Sequence, residues 1–460
     1  MMPKHSLLAT VAALCVVVGS VHAQYVEDSI DVGHAYVYSL AYNSREDVLY
    51  GASDDRAFFA ISCDSNKVVS SFPLDNAHGV VYDSIDNKTY CTQFPNSLLV
   101  VDGVTHNRIK SLPMYGAAIP VWDPISDRVY VSCPSAGSVA VVDCATDSLL
   151  TNTPVGRWPL KLYINVPGRK LYVLNADDYS VSIVDLNANQ VIKTIAIGGC
   201  DVNAGYYCPR VGKFYCAGDE EVVVIDGRSD SVVARIPVAE YGVVEAVSGS
   251  DKRDVVVVSV YAHESWLYAI DARKDSVVAA IGTGHAVVAG SIYWSPLSDR
   301  FYCASSFAVT EVIVLSGDGR QYLMSLPMAG WPCAIAESPV RRRLYVGHVN
   351  SRMIYVIRDA NTAWPGGQPS APDTTSELWI DPSPFRGRVA IASGSKVASG
   401  VLRVYAEDGR LVRSLNATKS AGRVLRLTWD GRDSRGRPVP PGVYVVEAGP
   451  GLRAKVVKLK

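Results

Sequence analysis

The chain lacks the local signatures by which a catalytic site is usually identified from sequence. Its 460 residues contain no G-x-S-x-G nucleophile elbow, no G-x-x-x-x-G-K phosphate loop, no H-E-x-x-H motif and no C-x-x-C pair. Gly282-Thr283-Gly284 is followed by a β pattern, so a dinucleotide site is not supported there. We therefore predict no catalytic residues, no cofactor and no metal ligands, and the sequence favours a protein that is not an enzyme.

The cysteines do not fit a framework of paired disulfides. Ten are present, and nine remain if the first 23 residues are removed, which is an odd number. Cys91, Cys216 and Cys303 lie within apolar strand patterns and are interpreted as small core residues. A disulfide between Cys208 and Cys216, which flank one predicted hairpin, is the alternative in an oxidising compartment.

Apolar runs long enough to cross a bilayer are missing after residue 23. Residues 1–23 combine a basic start at Lys4, an apolar stretch and the small-residue site Val21-His22-Ala23, which predicts a secretory signal peptide. A lipoprotein anchor at Cys15 is disfavoured because Leu14 is too large for that processing. We expect a secreted or cell-surface protein without a transmembrane segment, with the periplasm as the alternative.

The chain also lacks a strong excess of either charge. Residues 24–370 carry 27 Lys and Arg against 37 Asp and Glu, whereas residues 371–460 carry 16 against 8. Nucleic acid binding needs a clustered basic surface, and single-strand binding needs aromatic residues interleaved with it. The acidic first part and the arginine-rich second part therefore predict no nucleic acid partner.

The most abundant feature is a tyrosine-centred apolar segment that recurs at intervals of 40 to 43 residues, with one double gap. Its copies centre on Tyr50, Tyr90, Tyr130, Tyr172, Tyr215, Tyr302 and Tyr345. Residues 254–258 fill the double gap as an eighth copy without the tyrosine. A period of about 40 to 45 residues made of short strands is typical of propeller blades. We predict an all-β fold with an eight-bladed β-propeller at 24–360, and seven blades are the alternative.

One repeat predicts one four-stranded blade. Residues 160–198 alternate with period two in four segments, and Pro, Gly, Asn and Asp separate them. The last copy, 333–359, has only three such segments, and residues 28–33 resemble the missing fourth. We therefore predict that the N-terminal strand completes the last blade and closes the ring, which removes open sheet edges.

Two charged patterns within the repeats are interpreted as structural. An aspartate ends the third strand of several copies, where it accepts hydrogen bonds from the turn that follows. Arg341, Arg342 and Arg343 lie in a blade hairpin and are interpreted as solvated. The recurring aspartates are Asp102, Asp143, Asp185, Asp226 and Asp271.

Residues 128–143, 154–156 and 170–198, which include Tyr172-Val173-Leu174-Asn175, resemble the YVTN β-propeller repeat of bacterial and archaeal surface and periplasmic proteins. The resemblance covers about residues 25 to 358 and implies a propeller, often with seven blades in that family. It says little about activity, because propellers host enzymes, binders and scaffolds alike.

A second module follows a linker. Residues 361–376 are rich in Pro, Gly and Ser, and six or seven short strands follow at 377–460, as in a small immunoglobulin-like β-sandwich. Residues 381–385, 404–413 and 429–444 resemble the immunoglobulin-like domain related to the flagellar hook-capping protein FlgD, which is similar to C-terminal sorting domains of type IX secretion. The resemblance implies sorting or surface attachment, and a plain accessory sandwich is the alternative. The loop at 429–436 is interpreted as a hairpin turn because Asp430 and Asp433 lack calcium-loop spacing.

The candidate site residues lie in loops that lead from a fourth strand into the next blade. They are His34, His78, Trp158, His285 and Trp331. Such loops converge at one end of the central channel, so these side chains are predicted to contact a ligand at its rim. Imidazoles from different blades can also bind copper or zinc, and this alternative is less favoured because other blades lack the histidine.

Two functions remain open from the sequence. The first is an exported binding or scaffold protein whose propeller face engages a protein, a polysaccharide or a small ligand, and whose C-terminal module engages secretion machinery. The second is a secreted propeller enzyme, lactonase-like or metal-dependent, that uses the central channel.

Overall fold

The computed structural model describes the residues 24–54, 56–198, 204–218, 220–238, 242–261, 265–283, 287–307, 310–359, 378–381, 389–393, 401–406, 410–416, 425–440, 442–449 and 452–458. Within these ranges the only helical segment is a 3₁₀ turn at Pro134–Ala136. None of the helical structure in the described part of the chain is long and apolar enough to span a membrane. The predicted signal peptide and linker lie outside these ranges.

Eight antiparallel sheets of four strands make up the first part of the chain. In blades 1 to 4 the strands follow the chain from the inside outward. Blade 1 contains β2 (Val37–Asn43), β3 (Val48–Ser53), β4 (Ala57–Ser62) and β5 (Lys67–Pro73). Blade 2 contains β6 (Ala77–Asp83), β7 (Lys88–Gln93), β8 (Ser97–Asp102) and β9 (Arg108–Pro113). Blade 3 contains β10 (Pro120–Asp123), β11 (Arg128–Cys133), β12 (Ser138–Asp143) and β13 (Ser148–Pro154). Blade 4 contains β14 (Pro159–Asn165), β15 (Lys170–Asn175), β16 (Ser180–Asp185) and β17 (Gln190–Ala196).

Blades 5 to 7 repeat this order, and blade 8 takes its outermost strand from the N-terminus. Blade 5 contains β18 (Gly205–Cys208), β19 (Lys213–Ala217), β20 (Glu221–Asp226) and β21 (Ser231–Pro237). Blade 6 contains β22 (Val243–Gly249), β23 (Val255–Tyr261), β24 (Trp266–Asp271) and β25 (Ser276–Gly282). Blade 7 contains β26 (Val287–Ser295), β27 (Arg300–Phe307), β28 (Glu311–Ser316) and β29 (Tyr322–Pro327). Blade 8 contains β30 (Pro332–Ser338), β31 (Arg343–His348), β32 (Met353–Arg358) and β1 (Tyr25–Asp31).

The ring is closed, as the sequence predicted. The first strand of each blade contacts the first strands of both neighbouring blades, and β2 contacts β30. Strand β1 pairs antiparallel with β32, so that Ile30 lies opposite Ile354. Both side chains are buried in a core cluster that blades 8 and 1 share. The prediction of eight blades is confirmed, and so is the N-terminal closure.

Six of the seven repeat tyrosines donate a hydrogen bond to a neighbouring blade. All seven are fully buried in the second strand of their blade. The Tyr90 hydroxyl donates a hydrogen bond to Asp147 in the next blade at 2.7 Å, and the Tyr215 hydroxyl donates to Asp275 at 2.8 Å. In both cases the acceptor lies in the turn between the third and fourth strands and has a positive φ. We call this contact the tyrosine latch.

Blade 6 has no tyrosine because the facing turn leaves no room for one. Val257 occupies the tyrosine position in β23. Gly319 of the next blade has a φ of 69°, and a Cβ built on it would lie 2.7 Å from Val257. The glycine turn therefore replaces the latch by direct packing.

The recurring aspartates bond to the turns that follow them. Asp185, for example, accepts the backbone N–H groups of Asn187 and Ala188 at 2.7 and 2.9 Å. Asp102, Asp143, Asp226 and Asp271 bond to their turns in the same way. The structural interpretation of these acids is confirmed.

The arginine prediction is wrong for Arg341 and Arg343. Arg343 donates two hydrogen bonds of 2.8 Å to Glu27 of β1 and a third to the Cys63 carbonyl of blade 1. Arg341 donates to Asp47 at 2.7 Å. These two arginines connect the closing blade to blade 1 and hold β1 within the closing blade. The sequence could not show this because their acidic partners lie about 300 residues away in the chain.

The cysteines agree with the core interpretation. Cys91, Cys216 and Cys303 are fully buried, and the eight described cysteines are free thiols. Cys208 packs in a cluster with Val256 and Val258 of blade 6, whereas Cys216 packs with Leu174 of blade 4. The two thiols lie on opposite faces of one sheet, which explains why they form no disulfide.

The C-terminal module is a small β-sandwich of two sheets. One sheet contains β33 (Leu378–Asp381), β34 (Val389–Ser393) and β37 (Leu425–Trp429). The other contains β35 (Val401–Ala406), β36 (Leu411–Asn416), β38 (Gly442–Gly449) and β39 (Leu452–Lys458). Side chains of both sheets share one core around the fully buried Trp429. Asp430 pairs with Arg413, and Asp433 pairs with Arg437, so both acids serve the turn.

Candidate ligand-binding face

The propeller has two faces that differ in their connections. Because strands alternate in direction, the loops into each new blade and the turns between second and third strands lie on one face. We call it the entry face. The other two classes of turn, which carry the tyrosine latch, lie on the opposite face.

Four of the five predicted site residues lie on or next to the entry face. His34 lies in the loop between β1 and β2, Trp158 directly precedes β14, and Trp331 directly precedes β30. His78 is the second residue of β6, so it belongs to a strand and not to a loop as predicted. His285 lies outside the described residues. That these residues contact a ligand remains a prediction.

Exposed aromatic side chains are concentrated on this face. Eight Tyr and Trp side chains of the described residues are exposed, and seven of them lie on or next to the entry face. The exception is Tyr322, at the opposite end of an outer strand. The seven are Tyr36, Tyr38, Tyr115, Trp158, Tyr179, Tyr261 and Trp331. Because an exposed aromatic gains little from folding, this distribution points to a surface that contacts something else.

Two of these rings form a continuous series with the rings of His78 and Phe94. The ring centroids of Tyr36 and Tyr38 are 6.4 Å apart, and those of Tyr38 and His78 are 6.5 Å apart. The His78 ring stacks on Phe94 at 5.3 Å.

The backbone of Val349 brings a fifth aromatic residue next to this series. Its N–H donates to the Trp331 carbonyl, and its own carbonyl accepts the N–H of Tyr36. These bonds place Trp331 of blade 8 beside the loop into blade 1. We call the five residues the aromatic arc: Trp331, Tyr36, Tyr38, His78 and Phe94.

Three exposed aromatics have a left-handed backbone. Tyr36, Trp158 and Tyr179 have φ values of 58°, 53° and 47°. Asn76 directly precedes β6 as Tyr36 precedes β2, and it adopts the same conformation with φ 49°. Asparagine tolerates this conformation better than a bulky residue does. The loop geometry therefore does not explain the tyrosine at 36, and backbone strain of this kind is typical of functional sites.

Polar groups lie beside and beneath the arc. Asp54 approaches His78 Nε2 at 3.6 Å. Burial and the charge of Asp54 raise the pKa of Tyr38, so its hydroxyl stays protonated as a hydrogen-bond donor. Burial raises the pKa of the Cys333 thiol to about 12, which makes this thiol a poor nucleophile.

His348 is a buried histidine that the sequence did not single out. Its Nδ1 donates to the Met353 carbonyl at 3.1 Å, and burial lowers its pKa to about 4. Its Nε2 is buried without a hydrogen-bond partner among the described residues. A Cβ built on Gly330, next to Trp331, would lie 3.6 Å from this ring. A neutral imidazole therefore supports the loop from which Trp331 extends.

The inner strands carry few charged side chains at the one level that can be compared across all eight blades. In each blade, one residue of the inner strand lies opposite the second residue after the repeat tyrosine, or after Val257 in blade 6. These eight residues form one level around the ring: Ser39, Gly79, Ile119, Lys161, Ala204, Ala246, Ser291 and Ala334. Lys161 is the only charged residue of this level. Burial lowers the pKa of its amine, so Lys161 is an amine that an enzyme could use as a base or nucleophile.

Sequence reasoning found the histidine and tryptophan positions but missed Tyr36, Tyr38 and Phe94. The signal was present, because Tyr36-Val37-Tyr38 lies in the same class of loop as Trp158-Pro159 and Trp331-Pro332. Ring closure was predicted, but the backbone bonds of Val349 that place Trp331 beside Tyr36 depend on how the two loops pack.

Comparisons with known proteins support the two-module architecture. Residues 381–449 match the family described as FlgD Ig-like domain. Over 141 residues, 29% of this chain, the sequence is 26% identical to the uncharacterized protein YncE of Salmonella typhi, and the match to YncE of Salmonella typhimurium is the same. The matched region spans 40% of the length of these curated relatives.

Among solved structures, a chain in the crystal structure of a mitotic checkpoint complex is similar, with a TM-score of 0.52 and 16% identity. The similarity covers 78% of this chain and 98% of that chain. At this identity it shows the fold alone. The chain thus joins an eight-bladed β-propeller to a C-terminal module that resembles the FlgD Ig-like domain.

Proposed function

We propose that this protein is an exported binding protein, in which the entry face of a YVTN-type propeller engages a partner through the aromatic arc. The observation that carries the proposal is the location of seven of the eight exposed Tyr and Trp side chains on that face. Tyr and Trp are the residues that most often dominate binding energy at interfaces, because they bury a large rigid area and still offer a polar group.

The breadth of the arc favours a macromolecular partner. The five residues come from blades 8, 1 and 2 and include both flat rings and hydrogen-bond donors. A surface that extends over three blades suits a partner that covers several square nanometres, as typical protein interfaces do. We therefore favour a partner protein at the cell envelope over a small ligand enclosed in the channel.

The C-terminal module is proposed to serve sorting or surface attachment. The support is the match of residues 381–449 to the FlgD Ig-like domain and the resemblance of this module to type IX sorting domains. Deletion of residues 377–460 in the source organism is expected to leave the propeller folded but retained inside the cell. Unchanged export of the truncated protein would refute the sorting role.

Site-specific photo-crosslinking tests the binding role. A photoreactive phenylalanine analogue is placed at Tyr38 or Trp331, and the matched control carries it at Tyr322, which is also exposed but lies away from the entry face. We expect one discrete protein adduct from positions 38 and 331 in intact cells, and none from position 322. Equal adducts from all three positions, or none from any, would refute the proposal.

The alternative is a secreted propeller enzyme that uses the channel, and Lys161 is the observation that favours it. A panel of lactones is incubated with wild-type protein and with the Lys161→Met variant. Turnover that is lost in Lys161→Met and kept in Tyr38→Ala would replace the binding proposal by an enzymatic one.

A further inference from the structure

The same three positions meet at every junction between neighbouring blades. The first is the residue that ends or directly follows the inner strand of one blade. The other two belong to the next blade: a residue in its first hairpin turn, and the residue directly after its third strand. The third residue donates its backbone N–H to the carbonyl of the second at most junctions, for example Cys144 to Asp127 and Gly103 to Asn87. The eight junctions can therefore be compared position by position.

At several junctions a donor or a cation meets an acceptor. Between blades 1 and 2, the Asn43 amide donates to Asn87 at 3.1 Å and to the Gly103 carbonyl at 3.2 Å. Between blades 3 and 4, Asp123 forms an ion pair of 2.7 Å with Arg169. These junctions show how the fold normally satisfies buried polar groups at this position.

Similar solutions are found on both sides of the last blade. The Ser338 hydroxyl donates to Asp47 at 2.8 Å between blades 8 and 1. The Ser295 hydroxyl donates to Asp359 at 2.7 Å between blades 7 and 8. In both cases a hydroxyl contacts the carboxylate, and between blades 7 and 8 the same hydroxyl also lies 2.8 Å from the Glu337 carboxyl group.

The junction between blades 2 and 3 differs, because its three positions hold Asp83, Asp127 and Cys144. One ligand atom from each lies within 4.8 Å of the others. Asp83 is fully buried, and its Oδ1 accepts the N–H of Ile85 at 2.7 Å. Its Oδ2 is buried and has no hydrogen-bond partner among the described residues. A buried carboxylate oxygen without a partner, beside a second carboxylate, is costly unless a positive group lies between them.

We propose that Asp83, Asp127 and Cys144 bind one divalent cation of the zinc class. Carboxylate oxygen and thiolate sulfur are both ligands that zinc accepts, and three protein ligands leave one tetrahedral position for a water molecule. The sulfur disfavours calcium and magnesium, which take oxygen ligands in larger number.

The surroundings are consistent with the charge of such a site. Three anionic ligands exceed the charge of a divalent ion by one. The Lys88 ammonium lies next to the site and donates to the Cys144 carbonyl at 2.7 Å, but it is already paired with Asp147 at 3.0 Å. The three ligands therefore keep a negative charge of their own, which favours a divalent cation. The metal would join blade 2 to blade 3 where other junctions use a hydrogen bond or an ion pair. Its role is structural and separate from the entry face, because the junction lies on the opposite face.

Metal content tests the proposal directly. The mature full-length protein is stripped with a chelator, and Zn²⁺ or Co²⁺ alone is then titrated in. We expect about one bound equivalent, a Co²⁺ spectrum with a thiolate charge-transfer band, and a melting temperature that rises with free metal because only the folded state binds it.

Two variants test the ligands, and two others serve as controls. Asp83→Asn and Cys144→Ala are expected to lose the bound equivalent and the metal-dependent rise in melting temperature. Cys91→Ala, at another fully buried thiol, and His34→Ala, on the entry face, are expected to keep both. Since metal-free Asp83→Asn no longer has facing carboxylates, it should melt no lower than metal-free wild type, which separates loss of metal from loss of folding.

The contrary outcomes are equally clear. One contrary outcome is that wild-type protein binds no stoichiometric metal and that Asp83→Asn is merely more stable. This would show that the carboxyl groups of Asp83 and Asp127 share a proton instead. Metal that persists in Asp83→Asn but disappears in His34→Ala would place the site on the entry face. Either result would overturn the proposal.

Discussion

The tyrosine latch predicts that the same substitution has different costs at different copies of one repeat. The Tyr90 hydroxyl donates to Asp147 at 2.7 Å, and Lys88 holds the same carboxylate at 3.0 Å. Tyr172 lies at the equivalent position two blades later, but its hydroxyl is buried without a hydrogen-bond partner among the described residues. There, Lys170 alone holds the equivalent acid, Asp230, at 2.7 Å.

The magnitudes follow from this difference. Phenylalanine keeps the buried ring in both cases, so each substitution removes only a hydroxyl. At Tyr90 the loss is a hydrogen bond to a charged group, which contributes about 1.5 to 3 kcal/mol. At Tyr172 no bond is lost, and removal of an unpaired buried hydroxyl is about neutral or slightly stabilising. Tyr215→Phe should resemble Tyr90→Phe, because the Tyr215 hydroxyl donates to Asp275 at 2.8 Å.

Urea unfolding of the three variants provides the measurement. We expect the urea concentration at the unfolding midpoint to fall for Tyr90→Phe and Tyr215→Phe and to stay within error for Tyr172→Phe. The slope of the free energy of unfolding against urea concentration should stay unchanged in all three variants. Equal losses at positions 90 and 172 would show that the hydroxyl contact does not hold the blades together, and would refute the latch.

Three further predictions concern closure and the second module. Ile30→Ala should lower the free energy of unfolding by about 2 to 4 kcal/mol in urea titrations, because it leaves a cavity in the closing strand. Burial raises the pKa of Glu27, but the hydrogen bond from Arg343 and the charge of Arg358 outweigh it and lower that pKa below 4.5. Glu27 therefore stabilises the fold above its ordinary pKa and loses this effect as pH falls through the lowered value, so melting curves of wild type and Glu27→Gln should converge in acid. Trp429→Ala should lower the free energy of unfolding of the C-terminal module by about 3 to 5 kcal/mol, because this side chain is fully buried. In melting curves the transition of this module should disappear, and that of the propeller should stay unchanged.

The blades could be predicted from the sequence because the relevant information is local and repeated. A segment such as β15 alternates with period two, ends in turn residues and carries its buried tyrosine in the middle. Eight copies of this pattern fix the number of sheets, and the three-stranded last copy identifies β1 as its partner. Closure could be inferred because an unpaired edge would otherwise remain.

The contacts between blades could not be predicted in the same way. Tyr90 and Asp147 are 57 residues apart, and which turn residue a tyrosine reaches depends on how two sheets pack. The same limit explains the error at Arg343, which looks like a solvated hairpin residue until β1 places Glu27 beside it. At Asp83, the facing Asp127 and Cys144 belong to the next blade, so the cluster depends on how the two blades pack.

The aromatic arc depends on closure more directly than any other part of the molecule. Trp331 and Tyr36 lie near opposite ends of the propeller sequence, and Val349 bonds to the backbone of both. The chain passes from β1 of blade 8 directly into the loop that carries Tyr36, so the strand that closes the ring also fixes one side of that loop. Because β1 is held by Ile30 and by the pairing of Glu27 with Arg343 and Arg358, a change that loosens this strand should separate Trp331 from Tyr36. Stability of the closing blade and affinity at the entry face are therefore expected to change together, whereas a latch substitution between blades 5 and 6, such as Tyr215→Phe, should lower stability alone.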